Sequence, residues 1–315
     1  MDSIAQRRSE LDARCRGAAL GVARITVGLL WLANLHWKVP NDFGETSGGG
    51  LYKYSASVSR HSPFGPFTWF TEEIILPNFQ FFGWFTLIIE TVLAALLLIG
   101  YRTKVVALVG AAWAVPIMLS VLYYDRADEW SWSYLLMIAA HILLWASDAG
   151  RHLGVDGVLR RDATAARRGL MQLGVVTTII GISGLVVARS VSFAGRQVAL
   201  LGSDAGFVAD DGELVRRWEL KFVWFNPLWA ILTITFGMLL VLAIKQVWAG
   251  RAAGFGLVLL ALIIFSTRTF EYVRSDDAVQ RISTGSNVAL WGGLGLAALL
   301  LDRATRRTPV DRSTD

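Results

Sequence analysis

The chain has 315 residues, of which 54% are hydrophobic and 17% are charged, with a formal net charge of +5 and a mean hydropathy of +0.48. Since a soluble domain carries about a quarter charged residues, this composition argues against a soluble enzyme with a large core. The basic residues stand between apolar runs, which is typical of membrane proteins rather than of a nucleic-acid-binding surface. We predict an integral membrane protein surrounded by the lipid bilayer, with no nucleic-acid partner.

Eight apolar stretches approach or exceed the roughly 17–20 residues that a membrane-spanning helix needs. We therefore predict an all-α fold, a polytopic membrane helix bundle of about eight transmembrane helices. The fourth, fifth, seventh and eighth stretches are short for a full span. The predicted helices cover approximately residues 17–35, 79–99, 104–124, 132–147, 172–188, 227–244, 252–267 and 286–301.

The two halves of the chain follow the same order of elements. Each has a helix, a long outer loop, a helix, a short basic inner turn, a helix, an outer loop and a final helix. This order predicts two four-helix units in a parallel repeat, although any chain of eight helices can be divided in this way. The predicted regions are a cytoplasmic N-terminal segment (1–16), a first four-helix unit (17–159), a basic cytoplasmic linker (160–171), a second four-helix unit (172–302) and a cytoplasmic tail (303–315).

The long outer loops are rich in aromatic residues. Residues 36–78 include Trp37, Tyr54 and Trp69, which would form an interfacial aromatic belt, a lid or a surface for a partner. Residues 204–224 mix charged and aromatic side chains, a pattern that predicts a short amphipathic helix at the membrane interface.

The basic residues also indicate the orientation. They concentrate in the N-terminal segment, the short inner turns, the central linker and the tail, which fall on one side if there are eight spans. That side should be cytoplasmic, with both termini inside. The first apolar run ends at Asn34 and is followed by bulky residues, not by the small residues of a signal-peptide cleavage site, so we expect an uncleaved first helix.

Glu90 is the most unusual residue, because it lies near the middle of the apolar stretch 79–99. A carboxylate at this depth costs about 2.5–3.5 kcal/mol or more, so it is usually paired, faces a cavity or is functional. Arg24 and His141 lie in other predicted helices at comparable depth, counted at about 1.5 Å per residue. We predict a buried Arg24–Glu90 pair with His141 nearby. The pair either only joins helices or forms a proton-coupled catalytic site, while Arg24 could instead extend to the inner surface.

A quinone is the ligand whose chemistry fits such a site, since its headgroup needs hydrogen-bond donors and a path for protons. His141 titrates in the useful pH range. Trp31 and Gly28 lie on the Arg24 face of the first helix at helical spacing, where they would form the wall and the gap of a quinone-binding site, or would simply pack. The second half carries no deep charge and is expected to be structural or a copy that lost the site.

The cysteine and histidine content limits the other cofactors. Cys15 is the only cysteine, so there is no internal disulfide, no Cys-based iron–sulfur cluster and no CxxC pair. The four histidines are not spaced as metal or haem ligands, and no phosphate-binding or dinucleotide-binding loop is present. We expect no metal, haem or flavin.

Three stretches of the first half carry a family pattern. They are residues 24–28 with the following 35–38, then Glu90 with 94–103, and residues 148–156 after the fourth helix. In these stretches the chain resembles the DoxX family of four-helix membrane proteins, which includes the DoxD-type subunit of thiosulfate:quinone oxidoreductase. The resemblance covers residues 17–159, the first half only, and departs from the family at Leu35, where a Gly is usual.

The resemblance implies a multi-pass protein of the bacterial plasma membrane that is linked to redox metabolism. Three functions are consistent with it. The first is a membrane subunit of a redox system that passes electrons to quinone, with a soluble or lipoprotein partner on the outer face. The others are a non-catalytic scaffold for a partner enzyme and a small proton-coupled transporter.

Overall fold

The computed structural model describes residues 2–35, 38, 42–122, 131–190, 227–268, 273–275, 278–280 and 284–306. Within these ranges the chain is mostly helical, which confirms the predicted all-α, polytopic bundle. One small departure is an antiparallel pair of three-residue strands, β1 (Val273–Ser275) and β2 (Ala278–Gln280). The helices are α1 (Asp2–Asn34), α2 (Gly50–His61), α3 (Gly65–Phe70), α4 (Phe79–Ile99), α5 (Thr103–Val121), α6 (Ser131–Ala146), α7 (Val155–Leu159), α8 (Ala163–Ser190), α9 (Pro227–Leu242), α10 (Val247–Arg268) and α11 (Thr284–Thr305).

Eight helical segments correspond to the eight predicted spans. Two are short apolar helices, Trp132–Ala146 and Leu228–Leu242. The fifth, seventh and eighth were predicted to be short, but α8, α10 and α11 have 28, 22 and 22 residues. The helices continue through polar residues at the ends of the apolar runs, which apolarity alone does not detect. The six segments that are long and apolar enough to cross a bilayer are Gln6–Asn34, Gly65–Ile99, Thr103–Val121, Ala163–Val186, Trp248–Ser266 and Gly285–Thr305.

The first helix is much longer than predicted. It begins at Asp2 instead of near residue 17, and its 33 residues extend about 50 Å at 1.5 Å per residue. This length exceeds the roughly 30 Å hydrocarbon core of a bilayer. Residues 6–16 are exposed, so the predicted N-terminal segment is a polar helical extension of the first span.

The region predicted as the first long outer loop is largely helical. It contains α2 and α3, and α3 continues through a π-helical turn (Thr71–Ile75) and a 3₁₀ turn (Leu76–Asn78) directly into α4. Pro66 occupies the first turn of α3, where its missing N–H costs no helical hydrogen bond. The amphipathic helix predicted for residues 204–224 lies outside the described residues.

The spans form two four-helix units. The first unit contains α1, α4, α5 and α6, the second contains α8 to α11, and each unit has its own hydrophobic core. In both units each helix packs against the next one along the chain and the fourth packs against the first. This shared order is consistent with duplication, which stays a prediction.

Helix α11 joins the two units, because it packs against α4 and α1 as well as α8 and α10. At one end the hydroxyl of Ser286 donates a 2.7 Å hydrogen bond to the carbonyl of Leu32. At the other end Ala297 of α11 packs with Ile99 and Val155. The junction therefore runs along the length of the helix.

Candidate functional site: a cavity with a buried ion pair

The first unit contains a cavity of about 520 Å³ between α2, the α3–π segment, α4 and α5. Its volume lies within the roughly 300–1,000 Å³ range of small-molecule sites. It occupies the end of the bundle away from the N-terminus, since it is bounded by the first half of α4 and the second half of α5. Apolar lining residues include Leu51, Val58, Phe67, Phe82, Ile117 and Val121, and the polar ones are Lys38, Tyr54, Ser55, Thr71, Asn78, Thr86, Glu90, Trp113, Ser120 and Tyr134.

A buried ion pair forms part of the cavity wall. The Lys38 Nζ lies 2.9 Å from the Glu90 Oε2, and both residues line the cavity. Lys38 is 3% exposed and Glu90 is 0% exposed, so neither charge is compensated by bulk water. Burying an isolated charge costs several kcal/mol, and the close opposite charge offsets much of that cost.

The end of α1 holds this pair in place. Asn34, the last residue of α1, donates from its Nδ2 to the Glu90 Oε2 at 3.3 Å. Its backbone carbonyl accepts a 2.9 Å hydrogen bond from the Lys38 Nζ. A turn follows α1, in which the Lys38 N–H bonds to the carbonyl of Leu35, so the lysine side chain points back along the helix that precedes it.

Glu90 faces the cavity because of its position on α4. Asn78, Phe82, Thr86 and Glu90 are spaced four residues apart and line the cavity together, as residues on one face of a helix do. In α2, Leu51, Ser55 and Val58 form a similar stripe.

The cavity reaches the lipid-facing surface of the bundle. Phe81 is 74% exposed and Ile74 is 44% exposed, although both line the cavity. Phe70 and Phe85 share this property. Large apolar side chains exposed on a membrane-spanning segment face lipid, so the opening suits a lipophilic ligand that arrives from the bilayer.

Arg24 does not pair with Glu90, and this prediction is wrong. Its guanidinium donates to the backbone carbonyls of Leu97, Leu98 (2.9 Å) and Leu153 (2.8 Å). Leu97 is seven residues beyond Glu90, which is about 10 Å along α4. The carbonyls at a helix C-terminus lack intrahelical partners and carry partial negative charge, so those of Leu97 and Leu98 are suitable acceptors for the terminal Nη1 of the buried arginine. The carboxylate of Asp156 adds a favourable electrostatic interaction with the same guanidinium.

Arg24 belongs to a structural junction at the opposite end of the unit. Helix α4 ends at Gly100, whose φ of +67° is the left-handed conformation that favours glycine. The carboxylate of Asp156 then accepts hydrogen bonds from the backbone N–H groups of Arg102 (2.9 Å) and Thr103 (3.0 Å) at the start of α5. Arg24 ties α1 to this α4–α5 turn and to the segment that contains Leu153.

His141 and Trp31 form a separate buried contact. The Trp31 Nε1 donates to the His141 Nε2 at 3.0 Å. Because an indole nitrogen can only donate, the ring proton of His141 is on Nδ1, which lies 2.7 Å from the carbonyl of Met137. Both ring nitrogens are thus engaged, and neither residue lines the cavity.

Gly28 is a packing position. A Cβ added there would come within 3.0 Å of the backbone nitrogen of Leu98 and 3.1 Å of its side chain. The glycine therefore allows α1 and α4 to approach closely. It provides the gap that was predicted, but the gap is filled by α4 and not by the cavity.

Of the five predicted site residues, only Glu90 lines the cavity. The sequence did not identify Lys38 and Asn34 as its partners, because both lie at or beyond the end of an apolar stretch and not in its interior. The available signal was a lysine and an amide four residues apart, at the end of the first apolar stretch. A lysine side chain is long enough to reach from a helix end into the bilayer interior.

Residues 53–188 match the family model described as the TQO small subunit DoxD. The match begins within α2 and continues through α8, so it is not confined to the predicted range 17–159. It covers fewer than half of the 315 residues and leaves out α1 and Lys38. Comparisons with curated proteins and with solved structures gave no significant match. Over residues 53–188 the chain is thus similar, at the level of the family, to the DoxX-related DoxD proteins.

Proposed function

We propose that this protein is the membrane subunit of a redox system and binds the quinone that accepts the electrons. One observation carries the proposal: a mostly apolar cavity opens toward lipid and has a buried Lys38–Glu90 pair on its wall. The similarity to a family described as a TQO small subunit, where TQO denotes thiosulfate:quinone oxidoreductase, supports the same function.

The chemistry of the cavity suits a quinone. Reduction of a quinone to a quinol takes up two electrons and two protons. The Lys38 ammonium can donate a hydrogen bond to a quinone oxygen and stabilise the negative charge that develops there. It can then transfer a proton to that oxygen, and Glu90 can accept or supply a proton beside it. The electrons come from a reduced donor that is oxidised by a partner subunit, and the family description makes thiosulfate the first donor to test.

The proposal includes the membrane in which the protein lies and its orientation there. The protein would lie in the bacterial plasma membrane with both termini in the cytoplasm, which places the cavity in the outer half of the bilayer. A soluble or lipoprotein partner on the outer face would then deliver electrons to the same side as the bound quinone.

The first test is quinone binding by the purified full chain in lipid nanodiscs, with decyl-ubiquinone as the probe. We expect Lys38→Met, Glu90→Gln and the double variant each to weaken binding by at least about tenfold, since each removes a charged partner that costs about 1.5–3 kcal/mol to lose. Asp302→Asn is the matched control, because Asp302 is a buried carboxylate paired with Arg306 at 2.8 Å in the second unit. It should bind quinone like the wild type.

Unfolding midpoints of the same variants show whether a loss of quinone binding is caused by a loss of protein stability. Glu90→Gln alone leaves the buried Lys38 ammonium without its carboxylate, which should cost about 3–5 kcal/mol. The double variant should recover most of that loss but not the binding. Wild-type protein that binds no quinone, or a folded double variant that binds it normally, would contradict the proposal and favour a scaffold.

A further inference from the structure

We infer that Thr86 and Trp113 are a second hydrogen-bonding position for the quinone headgroup and make the cavity selective for ligands with two separated ring oxygens. This inference rests on the proposed function. It concerns two side chains that the Lys38–Glu90 pair does not use.

Both side chains carry a buried polar atom with no hydrogen-bond partner among the described residues: the Thr86 Oγ1 and the Trp113 Nε1. A buried polar group left in this state costs about 1–3 kcal/mol. Such groups are uncommon in folded proteins and call for an explanation. Both residues line the cavity, so a bound ligand is the available partner.

Thr86 differs from five other threonines in the helical segments. A threonine within a helix commonly donates to the carbonyl four residues earlier, which satisfies its hydroxyl locally. Thr86 makes no such bond, so its hydroxyl is available to the cavity. The threonines that do make it are Thr71, Thr177, Thr178, Thr233 and Thr235.

Thr86 and Trp113 lie at a depth similar to that of the ion pair. Thr86 is one helical turn before Glu90 on the same face of α4. Trp113 is ten residues after the start of α5 and Glu90 is nine residues before the end of α4, so both lie about 14–15 Å from the turn between the helices. The Trp113 ring meets Phe85 edge-on, with the ring centroids 5.6 Å apart, which fixes the indole beside the cavity.

This arrangement selects a class of ligand. A quinone has two oxygens on opposite sides of one ring, so one can bind at Lys38–Glu90 while the other accepts from the Trp113 N–H and the Thr86 hydroxyl. A fatty acid or an alkyl phenol has a single polar end and leaves Thr86 and Trp113 unsatisfied. Specificity of this kind arises because each polar group of the site that a ligand leaves unpaired reduces the binding free energy.

The test compares two probes on the full chain in lipid nanodiscs: decyl-benzoquinone, and a decyl phenol that keeps a single ring oxygen. Thr86→Val and Trp113→Phe remove the two groups with little change in shape. We expect each to weaken quinone binding by about 3- to 10-fold and to leave binding of the phenol unchanged. The quinone preference of the wild type should therefore be lost in the double variant.

Two matched controls are available in the second unit. Trp229 also has a buried indole N–H without a partner in the described structure, and Thr235 is a membrane-facing threonine. Neither lines the cavity, so Trp229→Phe and Thr235→Val should bind both probes like the wild type.

The outcomes separate this inference from the function on which it rests. If the wild type binds no quinone, both are overturned. If Lys38→Met abolishes quinone binding while folded Thr86→Val and Trp113→Phe bind normally, only the inference is overturned. Equal weakening of both probes would indicate a general change in the cavity and would also overturn it.

Discussion

The buried ionisable side chains of the first unit are satisfied in three different ways. Glu90 pairs with a lysine at the end of α1, Arg24 with backbone carbonyls, and His141 with an indole and a carbonyl. These contacts offset much of the cost of burying polar groups in a low-dielectric interior, although the Arg24 Nε has no hydrogen-bond partner among the described residues. Of these three, only Glu90 places a charge on the wall of the cavity, so depth in the membrane alone does not show which buried charge borders a cavity.

Substitution of Arg24 tests whether a buried charge that does not border the cavity affects quinone binding. Arg24→Gln removes charge-assisted hydrogen bonds to two carbonyls of α4 and one near α7, and we expect it to destabilise the protein by at least about 2 kcal/mol. In protein that remains folded, quinone binding should be unchanged because Arg24 does not line the cavity. Unfolding midpoints measure the loss of stability, and quinone titrations on the same samples measure the affinity.

Arg24→Lys is the companion variant. A lysine keeps the charge but cannot present the planar, forked donors of a guanidinium, so it should recover part of the stability and no more. If instead Arg24→Gln abolished quinone binding at an unchanged unfolding midpoint, Arg24 would belong to the site after all.

At the scale of elements, close helix packing depends on small residues that accept a neighbouring side chain. Gly110 on α5 faces the ring of His141 on α6, and a Cβ there would overlap the Nε2 that accepts from Trp31. Gly28 has the same effect between α1 and α4. Because lipid provides no hydrophobic driving force between helices, the van der Waals contacts made by such close approach are a main source of helix association.

Gly110→Ala should therefore destabilise the first unit by about 1–3 kcal/mol, the usual cost of overpacking a filled interior. The added methyl group would displace the His141 ring and break its bond to Trp31. The unfolding midpoint in detergent measures the loss, and Trp fluorescence reports the altered environment of Trp31.

Gly292 on α11 is the matched control for this change. A Cβ there would meet only the Ala261 side chain at 3.6 Å, an ordinary contact, so Gly292→Ala should change stability by no more than about 0.5 kcal/mol. Equal effects of the two substitutions would show that the His141 contact does not limit packing.

At the scale of the whole molecule, α11 connects two units that have separate cores. The cavity lies in the first unit alone, and its lining residues come from α2 to α6 and the segment after α1. The second unit contacts the first through α11, and its role, structural or a copy that lost the site, stays a prediction. The side of the membrane on which the cavity lies depends on the predicted orientation.

The single cysteine makes that orientation measurable. Cys15 is exposed on the polar extension of α1, which we expect to be cytoplasmic. A membrane-impermeant maleimide should therefore label Cys15 only after cells are permeabilised. In a Cys15→Ser background, Glu45→Cys should be labelled in intact cells, since Glu45 is exposed at the opposite end of the bundle. The reverse pattern would place the cavity in the inner half of the bilayer and the partner in the cytoplasm.

The apolar helices could be located from the sequence, although not their polar extensions or α2 and α3, whereas the partners of the buried charges could not. Apolar runs are a local property of the sequence, and all eight that were predicted correspond to helices. Depth counting put Arg24 and Glu90 within reach of each other, but it ignored the carbonyls at the end of α4. It also could not show that the Lys38 side chain points back along α1 and reaches Glu90.

The sequence by itself determined that this is a multi-pass helical membrane protein with an anomalous carboxylate at Glu90, because the bilayer imposes length and polarity on every span. Only the tertiary structure decided that Lys38 is the partner of Glu90, that Arg24 and His141 lie away from the cavity, and that α2 and the α3–π segment border that cavity. These features arise from contacts between elements far apart in the chain, and such contacts leave no periodic signal within any one element.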